Sequence, residues 1–101
     1  MTAAEFRRLA LKLDGVEERS HMGHPDFRVR GRIFATLGAP GRAYGMVKLT
    51  PLRQEEFVRE HPAVFSPAAG AWGRAGSTLV KLTAAKTSVV CEALEVAWRE
   101  R

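Results

Sequence analysis

The stretch FRVRGRIFATL, residues 27–37, decides how this chain folds. Phe27 and Val29 alternate with Arg28 and Arg30, the period of two that marks a strand with one face in a core and the other in water. Gly31 is the turn residue, and Arg32 through Leu37 reads as the returning strand. Strict alternation puts Ile33, Ala35 and Leu37 on one face and Phe34 and Thr36 on the other. The same logic points Arg28 and Arg30 away from the core, and with Arg32 just past the turn it gathers three guanidinium groups at one hairpin.

Outward from the hairpin, VEERSHMGHPD (residues 16–26) reads as a polar connection, with Pro25 at a strand entrance. On the other side, Gly38 to Ala43 is turn chemistry throughout, and Tyr44 to Leu49 is a third strand that completes a meander. Helices flank this core. Ala3 to Leu13 carries Phe6, Leu9, Ala10 and Leu13 at helical spacing, opened by a Thr2/Glu5 capping box and closed at Asp14-Gly15. Thr50-Pro51 starts a second helix that ends near Glu60. Ala63 to Gly70 reads as irregular, Ala71-Trp72 as a short extra strand, and Ser77 to Leu82 as a clearer one. A last helix, about Ala84 to Arg99 with Thr83 as N-cap, has Val90, Ala93, Leu94 and Ala97 as its apolar face. The expected fold is α+β, an antiparallel sheet with helices on one face, in the order α-β-β-β-α-β-α.

Length and composition agree with one ordinary globular domain spanning residues 1–101: 46% of residues are hydrophobic and 27% charged. No run of apolar residues is long enough for a membrane span, and the amphipathic, acid-containing N-terminus lacks the apolar core of a signal peptide. The single cysteine, Cys91, permits no internal disulfide. A cytoplasmic location is the expectation from these features, with no membrane partner. Cys91 is expected to pack beside the apolar face of the last helix rather than act as a nucleophile.

The formal charge is +5, and its placement carries more than its total. Residues 27–91 hold ten basic side chains against three acids, net +7, and all three acids (Glu55, Glu56, Glu60) fall in the second helix; each flank is net −1. A localised excess of this kind is the electrostatic footprint of a polyanion binder. The candidate contacts are Arg28, Arg30, Arg32, Arg42, Lys48 and Arg74. A solvated strand face guarded against edge pairing by charge explains the arginines equally simply.

Enzyme readings find little support. There is no phosphate-binding glycine loop, no dinucleotide fingerprint and no nucleophile elbow. His21-x-x-His24-x-Asp26 is the nearest approach to a metal site, but its spacing builds no helical pair and no fourth ligand is near in sequence, so no metal and no cofactor are expected. His21, His24 and Asp26, with Trp72 among its glycines, are instead candidates for lining a ligand cleft. Trp98, bordering the last helix's apolar face, is expected to be largely buried.

At these residues the chain resembles the MmcQ/YjbR family. Gly15 to Leu37 is similar to the family's N-terminal block, Val47-Lys48-Leu49-Thr50-Pro51 to its strand-to-helix junction, and Gly70-Ala71-Trp72-Gly73 with Thr78 to Leu82 to the block before the last helix. The basic side chain that many members carry just before the tryptophan is absent here. The resemblance implies a CyaY-like fold similar to that of secretion chaperones, with a double-wing DNA-binding motif whose wings are β-hairpins. Taken with the charge map, it makes weak, salt-dependent DNA binding through phosphate contacts the leading expectation, with a protein-interaction or chaperone-like module that has no nucleic-acid role, as a homodimer or with another partner, as the alternative.

Overall fold

The computed structural model describes residues 1–101. The chain runs α1 (Ala3–Leu11), β1 (Glu17–His21), β2 (His24–Val29), β3 (Arg32–Leu37), β4 (Tyr44–Lys48), α2 (Pro51–Glu60), β5 (Phe65–Pro67), α3 (Gly70–Arg74), β6 (Ser77–Lys81), a single 3-10 turn (Leu82–Ala84) and α4 (Thr87–Arg99). Six strands form one sheet in the order β1-β2-β3-β4-β6-β5, every pair antiparallel. The α+β class and the one-sided layer of long helices expected from the sequence are both present.

Phenylalanine builds the core. All five, Phe6, Phe27, Phe34, Phe57 and Phe65, are at most 7% exposed. Fully burying each one contributes about 1.5–3 kcal/mol, which makes them the largest single favourable contacts in so small a domain. Phe6 of α1 packs against Phe27 of β2 with ring centroids 6.3 Å apart. Its ring also covers Gly45 of β4 so closely that a Cβ there would lie 2.8 Å from Phe6 Cε2. α4 adds Val90, Ala93, Leu94 and Ala97, the face its spacing marked, together with Val96. At the far edge Phe57 of α2 meets Phe65 of β5 edge to face at 5.3 Å.

The β2–β3 hairpin turns through Arg30 (φ 52°) and Gly31 (φ 77°), both left-handed, as a two-residue turn matched to strand twist requires. Beyond it, alternation in β3 breaks. Phe27 pairs with Ala35 but Arg28 pairs with Ile33, so Phe34 is the extra residue of a β-bulge. The bulge turns Phe34 and Ala35 both into the core, with Leu37, and leaves Ile33 and Thr36 on the opposite face. The expected grouping of Ile33 with Ala35 and of Phe34 with Thr36 is therefore corrected.

Other expectations also shift. The polar connection contains β1, whose five residues are all exposed. β5 lies in the segment read as irregular, and Trp72 sits in a short helix rather than a strand. α4 begins at Thr87, after the 3-10 turn, and its N-cap is Lys86 with no side-chain bond, so Thr83 does not cap it. Cys91 is exposed on the outer side of α4, not packed. Trp98 is half-buried, its indole N–H donating to the Asp14 carbonyl at 2.8 Å. No helix is long and apolar enough to cross a membrane.

Candidate nucleic-acid interface and groove

With α1 and α4 packed on one face of the sheet, the other face is largely uncovered. Strand parity sends to it Arg19 and His21 of β1, Asp26 and Arg28 of β2, Ile33 and Thr36 of β3, Met46 and Lys48 of β4, and Ser77 and Leu79 of β6. A groove of about 520 Å³ runs along this face, within the range of small-molecule sites. Ile33, Met46 and Leu79 line its apolar floor; Ala39 and Pro40 close one end, and α3 brings Trp72 over the side. Trp72 is 70% exposed, far beyond what a packed indole shows.

Gly73 and Gly76 place that tryptophan. A Cβ on Gly73 would lie 1.7 Å from the Ala68 carbonyl oxygen, and one on Gly76 would lie 1.8 Å from that of Leu49. Only glycine lets α3 close down on the sheet edge at both points. Gln54 of α2 fixes the helix from the other side, its amide N–H donating to the carbonyls of Gly73 (2.9 Å) and Ser77 (3.1 Å).

Asp26 is the one fully buried carboxylate. It accepts from Arg28 Nε at Oδ1 (2.8 Å) and from the second guanidinium nitrogen at Oδ2 (3.1 Å), a fork-on-carboxylate pair. His21 Nδ1 lies 2.7 Å from the same Oδ2. An ionised carboxylate only accepts, so Nδ1 carries the proton. The Arg28 bonds, more than the His21 bond, hold the Asp26 carboxyl below its usual value against the opposing effect of burial. His21 lines the groove; His24 sits beside it in β2, close under Gly38, without lining it. No three histidine, cysteine or acidic groups converge to hold a metal. Of the residues read as a cleft, only His21 and Trp72 line the groove; Asp26 is buried behind His21 as its hydrogen-bond partner, and His24 does not line it.

The arginine hairpin divides. Arg28 is engaged by Asp26 on the open face. Arg30 lies in the turn rather than on the strand and donates to the Trp98 carbonyl of α4 at 2.6 Å, on the helical side. The expectation that Arg28 and Arg30 share one solvent face is corrected: the left-handed turn at Arg30 reverses its direction. Arg42 is exposed in the β3–β4 loop at the opposite end of the sheet, and Arg74 is exposed at the end of α3.

A different cluster forms where β3 begins and β4 ends. Arg101 folds back from α4 and donates from Nε to the Ile33 carbonyl at 2.8 Å. Burial, then the nearby Arg32 charge, hold its guanidinium below its usual value. Burial in the groove wall, then the Arg101 charge, lower the Lys48 ammonium in turn. Lys48 Nζ stands 4.8 Å from the centroid of the Trp72 ring, a cation–π contact. None of Arg32, Lys48 and Arg101 is ion-paired, although Arg7, Arg19, Arg28, Arg53, Arg59 and Arg99 all are. Arg32 and Lys48 stand among the basic residues singled out in the sequence. Arg101 had no local signal, because only the packing of α4 against β3 brings it there.

An antiparallel sheet backed by helices, with an uncovered face rimmed by unpaired cations, defines a small α+β domain. The YjbR family pattern matches residues 11–100, and the chain belongs to that family. The crystal structure of Deinococcus radiodurans protein DR2400, which carries the family domain DUF419, is similar in fold with a TM-score of 0.78 at 19% identity. The similarity covers 96% of this chain and 75% of that one. No curated protein matches the sequence.

Proposed function

We propose that this domain binds nucleic acid, making salt-dependent phosphate contacts with the basic end of its open sheet face. The observation that carries the reading is the cluster of Arg32, Lys48 and Arg101. Arg32 and Lys48 each lie near Arg101, and none of the three is ion-paired; together they raise the local potential, and a polyanion's phosphates relieve that repulsion. Lys48 and Trp72 add a cation beside an exposed aromatic, the pairing that backbone-tracking nucleic-acid sites use. Arg42 and Arg74, exposed on neighbouring loops, extend the positive field without belonging to the cluster. Arg28 contributes least, because the buried Asp26 already neutralises it.

The reading is of a binding module rather than an enzyme. The carboxylate beside the groove is held by Arg28 and His21, and Cys91 lies on the far layer. Titration of a fluorescent duplex and a fluorescent single strand at low and moderate salt tests the proposal: binding that weakens steeply with salt is expected, and no binding of either at low salt would refute it. A protein-interaction module is the alternative, and the apolar floor of the groove is what favours it. Light scattering that shows a stable dimer would move it ahead.

A further inference from the structure

The apolar groove is more than duplex binding requires, since phosphate contacts alone call for no cavity. It joins three features along one path: a floor of Ile33, Met46 and Leu79, the exposed Trp72 ring, and the unpaired cations at the Lys48 end. Lys48 belongs to both the groove wall and the cation cluster, and Arg101 is anchored on the carbonyl of Ile33, itself a groove residue. An occupant that matches all three has a flat apolar body and an adjacent anion. Polyphosphate has no flat body, and duplex DNA keeps its bases stacked inside.

We propose that the groove holds one unstacked nucleotide of a single strand, its base against Trp72 and the apolar floor and its phosphate against Lys48, Arg32 and Arg101. Lys48 takes one side of the indole, and the 70% exposure of Trp72 leaves much of the ring open to a base. Stacking on an aromatic tolerates any base, so the site selects for strandedness rather than for sequence. Thr36 and Ser77 in the lining, and His21 at the far wall, offer hydrogen-bonding groups to the base edge and sugar. The inference rests on the phosphate-binding reading above and adds the strand type and the base contact.

The test compares a homothymidine oligonucleotide, a duplex of equal phosphate count and inorganic polyphosphate, each titrated into wild type and Trp72→Ala. Trp72 is exposed, so the variant retains the fold, and circular dichroism and melting confirm that it does. Wild type is expected to bind the single strand more tightly than the other two. Trp72→Ala is expected to lose about ten- to hundredfold in single-strand affinity, the usual effect of removing a base-stacking aromatic. Its affinity for polyphosphate is expected to fall by no more than about fivefold, the effect of losing one exposed cation–π contact. Equal wild-type affinity for all three, or an unchanged single-strand affinity in Trp72→Ala, would overturn the groove assignment while leaving phosphate binding in place. Binding of none of the three at low salt would overturn both.

Discussion

Replacing Asp26 with Asn probes the support beneath the groove. The substitution keeps the side chain's volume and removes its charge. Three hydrogen bonds, two from Arg28 and one from His21, then face an amide that has one acceptor oxygen instead of two. Hydrogen bonds to charged groups are worth about 1.5–3 kcal/mol, but Arg28 and His21 are partly exposed and can turn to water. The expected loss at neutral pH is about 1–3 kcal/mol rather than the sum. For a domain of this size that lowers Tm by about 4–8 °C per kcal/mol. The pH dependence is the sharper readout. Because folding holds the Asp26 carboxyl below its usual value of 3.8, its contribution is present in full above that pH and is lost as pH falls through the lower folded value. Urea melts of wild type and variant should therefore differ at neutral pH, begin to converge as pH falls below 3.8, and meet only below the lower folded value. A gap that is absent at neutral pH, or that persists undiminished in strong acid, would refute the role given to this carboxylate.

The remaining expectations concern the helical layer. Gly45→Ala would place a Cβ 2.8 Å from Phe6 Cε2, so it should destabilise the domain by about 1–3 kcal/mol in chemical denaturation, as overpacking does. Cys91, exposed on α4, should react stoichiometrically with a thiol reagent in the native protein; protection until denaturant is added would contradict the orientation of that helix.

What the sequence revealed follows physical signal strength. The β2–β3 hairpin, α1 with its capping box and the apolar face of α4 were legible because period and turn chemistry are local. β1 was not: Glu17 to His21 is an edge strand exposed along its whole length, so no alternation marks it, and its charges guard the edge. β5 is three residues long and is recognisable only through its pairing with β6. The bulge at Phe34 left no trace beyond two adjacent apolar residues. For the site, Lys48 and Trp72 stood out as residue types, and His21 and Asp26 as neighbours. The union of His21, Lys48 and Trp72 in one groove depends on the sheet order, and Arg101 enters only through tertiary packing.

Salt dependence of binding measures the central claim most directly. Wild type and an Arg32→Gln/Lys48→Gln/Arg101→Gln variant, checked for unchanged folding by circular dichroism, would be titrated with the same fluorescent duplex across a range of salt. Each phosphate contact releases condensed counterions and adds about 0.9 to the slope of log affinity against log salt. The wild-type slope should be steeply negative, and the triple variant's should be flatter by about two to three units with weaker binding throughout. A folded triple variant with the wild-type affinity and slope would contradict the account.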